Sequence, residues 1–193
     1  MHLSDLPNGL TILRLMFVPI LLCTCLLPSG WSNWLALSIF VVAGLTDYLD
    51  GALARRFNVV SEFGRMLDPI ADKLMIASVL LLLLWQGIAP LVPVVVIIGR
   101  ELVVSGLREY LALVGQKLEV TSLAKWKTTL QFIALAVLLA VGNENFPNPP
   151  RLMLELIGLA LFWLAALLTL VTGCDYCFKV RSFAGKQRLE NRS

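Results

Sequence analysis

The sequence predicts an all-α membrane protein with six transmembrane helices and both termini on the cytoplasmic side. Three observations carry that prediction. First, 58% of the 193 residues are hydrophobic and only 15% are charged, against about 25% charged in an ordinary soluble chain. With a mean hydropathy of +0.81, the chain cannot fill a core and still present a wet surface. Second, the apolar residues fall into stretches long enough to cross a bilayer, which takes about 20 residues as a helix. Third, Lys and Arg alternate from one connection to the next. Disorder is excluded, since it needs low hydrophobicity and high charge. A nucleic-acid partner is excluded too, because the net charge of +3 is small and membrane topology accounts for its positions.

The spans read in order as residues 10–27, 34–54, 66–85, 91–114, 124–141 and 152–178, all within a single domain over 1–193. Pro28-Ser29-Gly30 closes the first, Gly87 to Pro90 the third, and the turn-rich run from Gly142 to Pro150 the fifth. The first stretch lacks the small-residue cleavage site of a signal peptide and continues the series. Arg55, Arg56 and Arg65 lie in the second connection, Lys117, Lys125 and Lys127 in the fourth, and Lys179, Arg181, Lys186, Arg188 and Arg192 in the tail. The first and third connections carry no Lys or Arg and the fifth only Arg151. Basic connections stay in the cytoplasm, so the even-numbered ones and both termini are assigned there. Trp31 and Trp34 sit where an interfacial aromatic belt is expected. The close pairs Cys23/Cys25 and Cys174/Cys177 fall at opposite ends of the bilayer and cannot build one thiolate zinc site; core packing is their expected role.

Ionisable residues inside spans cost free energy to place there and are functional candidates by default. The largest cluster runs from Thr46 to Lys73, TDYLDGALARRFNVVSEFGRMLDPIADK. Asp47 and Asp50 precede Arg55 by eight and five residues, which at a helical rise of about 1.5 Å per residue sets them roughly 8–12 Å below the inner face. Their i,i+3 spacing puts both on one side of span two, and Asp68 and Asp72, at i,i+4, share a side of span three. A short connection makes these spans antiparallel neighbours whose acidic faces can meet. Four carboxylates in a low-dielectric site cannot all stay ionised without compensating cations. Hard divalent cations suit them: Mg²⁺, Mn²⁺ or Ca²⁺. Two such ions bridged by carboxylates form an arrangement used for displacement at phosphorus. Gly51 and Ala54 leave room on the same side for a flat or bulky group, with Arg55 one turn on to meet a phosphate. Pro69 disfavours helix at Asp68, so span three either starts or bends there.

Two further clusters follow. In span four, Glu101, Ser105 and Arg108 recur at i, i+4 and i+7 beside Arg100, a polar stripe on a Val/Ile/Leu helix. It reads either as an internal Arg–Glu pair that fastens the bundle or as part of a site. Lys125 and Lys127 open span five, where a positive-inside flank accounts for them as well as function does. Together Arg100, Arg108 and Lys127 offer what a small anionic, phosphorylated substrate requires.

Asp47-x-x-Asp50-Gly51-x-x-Ala54-Arg55, eight residues, then Gly64-x-x-x-Asp68-x-x-x-Asp72 is similar at each of its eight fixed positions to the signature of the CDP-alcohol phosphatidyltransferases. The resemblance extends over most of the chain, as that family consists of six-span, membrane-embedded, usually dimeric enzymes. Asn8-Gly9-Leu10-Thr11 with Arg14, GREL and SGLRE within 99–109, and KWKTTLQ at 125–131 resemble the subtype whose acceptor is sn-glycerol 3-phosphate. The resemblance implies that CDP-diacylglycerol enters from the bilayer and rests on Thr46, Asp50, Gly51, Ala54, Arg55 and Gly64. It implies that Asp47, Asp50, Asp68 and Asp72 hold two divalent cations, Mg²⁺ or Mn²⁺, with Asp72 also the general base for the acceptor hydroxyl. Arg100, Arg108 and Lys127 are then the candidates to grip the acceptor phosphate. The implied setting is a homodimer among the lipids of a bacterial inner membrane, its active site facing the cytoplasm.

Two rival readings remain open at this stage. One keeps the chemistry and changes the acceptor, as in a cardiolipin or phosphatidylinositol-phosphate synthase. The other, from a different class, uses the four aspartates as the binding site of a divalent-cation transporter. It requires a polar path to the outer face, whereas the outer halves of spans two and three are nearly all apolar.

Overall fold

A computed structural model describes the backbone at residues 5–57, 62–113, 115, 122–143, 146–147 and 150–190. Six α-helices and one 3-10 turn make up the secondary structure of the described residues: α1 (Asp5–Cys23), α2 (Ser29–Phe57), α3 (Glu62–Trp85), α4 (Leu91–Leu113), α5 (Ser122–Val141) and α6 (Pro150–Glu190). The all-α reading therefore holds, and each expected stretch corresponds to a helix.

The helix ends follow from local chemistry. After α1 the chain makes a 3-10 turn over Thr24–Leu26, and Leu27 is extended at φ −85°, ψ 155°, as the residue before a proline prefers. The carbonyl of Pro28 then accepts from the amides of both Trp31 and Ser32, so Pro28-Ser29-Gly30 opens α2 rather than forming a longer break. At the end of α3, Gly87 takes φ 74°. Its amide donates to Leu84 O while the amide of Ile88 donates to Leu83 O, the paired bonds by which a left-handed glycine caps a helix. Several boundaries differ from expectation: α1 and α2 each begin five residues before the expected spans, at Asp5 and Ser29. The helix α3 starts at Glu62 and carries Pro69 inside it, which removes the possibility of a start at Asp68. The last helix continues past 178 through the basic tail to Glu190.

The chain divides into two compact units. The first comprises Met1–Ala89 and Leu135–Ile157, the second Pro90–Ala134 and Gly158–Ser193, so α5 and α6 each contribute to both. In the first unit α1 packs most extensively on α3 and next on α2, while α2 and α3 touch each other much less. Buried stripes explain this. Ala71, Met75, Val79 and Leu83 recur every four residues along α3, and Ala36, Phe40 and Ala43 follow a similar period on α2. In the second unit Val94, Ile97 and Val104 of α4 are buried, as are Phe162, Ala165 and Tyr176 of α6.

Several polar side chains are buried within this apolar core while many large apolar ones are exposed. Thr11, Arg14, Asn33, Lys127, Gln131 and Thr169 are buried, while Met16, Leu45, Leu102, Leu113, Met153 and Val171 are exposed. Among the described residues, one helix, over Pro150–Arg181, is long and apolar enough to cross a membrane, and Thr11–Leu26 and Trp126–Val141 form shorter apolar helices.

Candidate active site

The first unit gathers the acidic motif around α1. Arg14, only 2% exposed, points its guanidinium at carboxylates from two other helices. Its Nη1 donates to Asp72 Oδ1 at 2.5 Å, and its Nη2 lies 2.8 Å from Asp47 Oδ1 as an ion contact. One turn earlier, Thr11 Oγ1 donates to Asp68 Oδ1 at 2.5 Å. Asp47 and Asp72 are themselves about half exposed, at 51% and 49%. The cation is therefore sealed in the helix packing while the carboxylates keep oxygen lone pairs open to whatever approaches.

This geometry brings together three of the four expected aspartates, through a residue that had carried only a subtype resemblance. Among the described residues, the link between the two acidic faces runs through α1, which lies against both helices. An arginine in an otherwise apolar stretch was the available signal, but its partners depend on three-helix packing. The Thr46 hydroxyl donates back to Val42 O and Ala43 O of its own helix, at 2.9 and 2.8 Å, so its proton is not directed at the cluster. Asp50, Gly51, Ala54 and Arg55 lie on the last turns of α2 and Gly64 on the first turn of α3; their side chains fall outside the described residues.

The carboxylates supply the oxygen donors that suit a hard divalent cation. Among the described residues, no three His, Cys, Asp or Glu side chains gather closely enough to hold a metal ion by themselves. Asp50, the fourth expected ligand, has its side chain outside the described residues.

The second unit holds the basic residues, arranged around Glu101 and Tyr176. Lys127, 3% exposed, makes an ion pair with Glu101, and Arg100 Nη1 lies 3.2 Å from the same carboxylate oxygen. Lys127 is thus an internal residue rather than a snorkelling flank. Arg100 also donates to Thr172 Oγ1 at 3.3 Å. Fully buried Tyr176 offers its ring to the guanidinium carbons of Arg100 and Arg108 at 5.7 and 5.6 Å and to Lys179 Nζ at 5.9 Å, within the range of cation–π attraction. Glu101 holds Arg100 and Lys127, Asp175 holds Lys179 at 2.6 Å, and Arg108 remains exposed. Tyr176 and Thr172 escaped the sequence reading because each sits in an apolar-looking helix with no charge of its own.

Comparison with known proteins identifies this pairing of motifs. The family model for CDP-alcohol phosphatidyltransferase matches residues 4–171. The chain belongs to the CDP-alcohol phosphatidyltransferase family. Members of that family are in general dependent on divalent metal. Among its relatives, a protein of Rickettsia bellii is 43% identical over 173 residues, covering 90% of this chain and 93% of the relative. One from Pseudomonas fluorescens is 41% identical over 178 residues, covering 89% and 88%. One from Arabidopsis thaliana is 42% identical over 168 residues, covering 80% and 71%. The first two are named CDP-diacylglycerol–glycerol-3-phosphate 3-phosphatidyltransferase, and the third carries that name with the number 2.

Proposed function

We propose that the protein transfers the phosphatidyl group of CDP-diacylglycerol to sn-glycerol 3-phosphate, giving phosphatidylglycerophosphate and CMP. The observation that carries this reading is the meeting of Asp47, Asp68 and Asp72 around Thr11 and Arg14, in a chain whose relatives bear the name of that activity along most of their length.

In this reading CDP-diacylglycerol lies along the end of α2, with Thr46, Asp50, Gly51, Ala54 and Arg55 beneath its nucleotide and Gly64 of α3 beside its pyrophosphate. Asp47, Asp50, Asp68 and Asp72 hold two divalent cations, Mg²⁺ or Mn²⁺. When bound, these supply charge neutralisation at the pyrophosphate. Arg14 holds the Asp47 and Asp72 carboxylates in place from behind. Arg100, Arg108 and Lys127 take the phosphate of sn-glycerol 3-phosphate. Asp72 accepts the proton of the acceptor's 1-hydroxyl as that oxygen bonds to the phosphatidyl phosphorus. The bond from that phosphorus to the bridging oxygen breaks, and CMP leaves with the electron pair. General-base assistance of this kind contributes about 10²–10⁴-fold.

The same proposal includes six spans with cytoplasmic termini, a homodimer, and placement in a bacterial inner membrane with the acidic residues near the cytoplasmic surface. Buried polar side chains beneath an apolar exterior support lipid as the surrounding solvent. The alternation of Lys and Arg supports the orientation. The deciding experiment supplies detergent-purified protein with CDP-diacylglycerol, labelled glycerol 3-phosphate and Mg²⁺, and follows lipid-soluble label and CMP. Label transfer that EDTA abolishes is expected. Transfer to phosphatidylglycerol or inositol phosphate instead would reassign the acceptor, and cation flux without CMP formation would overturn the enzyme reading.

A further inference from the structure

The first unit contains a second polar site, far from the acidic cluster. From Arg14 to Cys25 along the chain is 11 residues and from Asp72 to Gln86 is 14, which at a helical rise of about 1.5 Å separates the two places by roughly 16–21 Å. At that other end the termini of α1, α2, α3, α5 and α6 enclose a cavity of about 330 Å³. Known ligand pockets span about 300–1,000 Å³, so this one suits a headgroup-sized group rather than a whole lipid.

Its lining is partly polar. Ser32, Asn33, Gln86, Arg151 and Glu155 all border it. Gln86 Nε2 donates to Asn33 Oδ1 at 2.5 Å, which fixes the amide and leaves Gln86 Oε1 as a buried acceptor without a partner. Ser32 is 3% exposed, and its Oγ is also buried without a partner. Buried polar atoms are otherwise nearly always satisfied. Arg151 and Glu155 stand one turn apart on α6, both half-buried, and form no ion pair with each other. Gly142 closes the wall: a Cβ there would stand 2.6 Å from Asn33 Nδ2 and collide with Ile88.

We propose that this cavity binds a phosphate–ammonium zwitterion of the phosphoethanolamine type, the headgroup of a membrane phospholipid. Arg151 meets the phosphate and Ser32 Oγ donates to it. Glu155 and Gln86 Oε1 accept from the ammonium. A trimethylammonium group has no N–H to give to Gln86 Oε1 and is too bulky to approach both acceptors, so the site discriminates against phosphocholine. The proposal is independent of the transfer chemistry.

The test uses the full-length protein in detergent with short-chain phosphatidylethanolamine or phosphatidylcholine, binding being read by native mass spectrometry and by the shift in Tm. Roughly tenfold tighter binding of phosphatidylethanolamine is expected, a ratio of the size one hydrogen-bonded charge contact provides. Glu155→Gln and Gln86→Leu should each remove most of that preference, and Arg151→Gln should weaken both lipids alike. Glu155 is half-buried, so its variant keeps the test available if loss of the Gln86–Asn33 bond prevents folding. Free phosphoethanolamine forms a further arm. Competition with the lipid at similar concentration supports the headgroup with a soluble source, and failure to compete supports it with the bilayer as source. Equal binding of the two lipids by the wild type, or a preference unchanged in Glu155→Gln, would overturn the proposal.

Discussion

Arg14 Nη1 donates to Asp72 Oδ1 at 2.5 Å, tying the apolar first helix to the last aspartate of the family motif. The arginine is buried and the aspartate half exposed. That asymmetry fixes what each can do. A sealed guanidinium with two carboxylate partners is a permanent structural charge, whereas an aspartate open on one side can exchange partners. In the proposed reading, substrate and metal would meet the carboxylate side of the cluster, with α1 as its back.

Replacing Arg14 should expose this division. Arg14→Leu leaves Asp47 and Asp72 facing each other without a cation. Since both carboxylates reach solvent, the cost is about 1–2 kcal/mol rather than the larger penalty of a fully buried pair. For a chain of this length that corresponds to a fall in Tm of roughly 2–8 °C. Mg²⁺ should narrow the deficit, because it supplies the missing charge. Scanning fluorimetry with Mg²⁺ and with EDTA measures both effects, and a deficit indifferent to metal would deny that cations meet these carboxylates.

Asp72→Asn should separate chemistry from folding. The amide keeps the shape of the side chain and can still accept from Arg14, so Tm should move by less than the Arg14 variant does. Loss of the proton acceptor and of a metal ligand should lower kcat by about 10³-fold or more. Single-turnover transfer from CDP-diacylglycerol reads the rate. A variant retaining more than a tenth of wild-type turnover would remove Asp72 from the role of base.

The main lines of this molecule were readable in the residues, for definable reasons. Each apolar stretch became a helix because the bilayer length and the helical period constrain sequence locally. Asp68 and Asp72 share one side of α3 because an i,i+4 spacing survives any helix packing, whereas Asp47 reaches Asp72 only through Arg14 of α1. What escaped depends on relations between helices. Arg14 was visible as a charge in an apolar run, yet only the packing of α1 against α2 and α3 selects its partners. Pro69 marked a possible start, but α3 begins at Glu62 and carries Pro69 as its eighth residue. Tyr176 carried no signal at all, since an aromatic residue in an apolar helix is ordinary until cations are found on its face.

Lys127 and Glu101 should behave as a coupled pair. Glu101→Gln leaves a buried ammonium without its carboxylate, which costs about 3 kcal/mol. Pairing Glu101→Leu with Lys127→Met removes both charges and should recover part of that loss. A double-mutant cycle on unfolding in denaturing detergent gives the coupling energy, expected at about 1–3 kcal/mol. Additive losses would mean that the two groups are fastened by other neighbours.

Gly173 offers a way to disturb the basic cluster without removing a charge. A Cβ on Gly173 would stand 2.8 Å from Arg100 Cγ and 3.8 Å from its Cβ. The near contact is with the middle of the side chain rather than its tip, so the guanidinium must shift from Thr172 and from the Tyr176 ring. Gly173→Ala gains helix propensity of about 1 kcal/mol, which offsets much of the strain and keeps the protein folded. If Arg100 helps bind the acceptor phosphate, KM for glycerol 3-phosphate should rise by about tenfold, the equivalent of 1.4 kcal/mol, while KM for CDP-diacylglycerol and kcat stay within about twofold. Arg100→Lys should raise the same KM further, since an ammonium on a flexible stem lacks the planar fork. A change confined to kcat, or one shared by both substrates, would place Arg100 among the groups that hold α4 to α6 rather than those that take the acceptor.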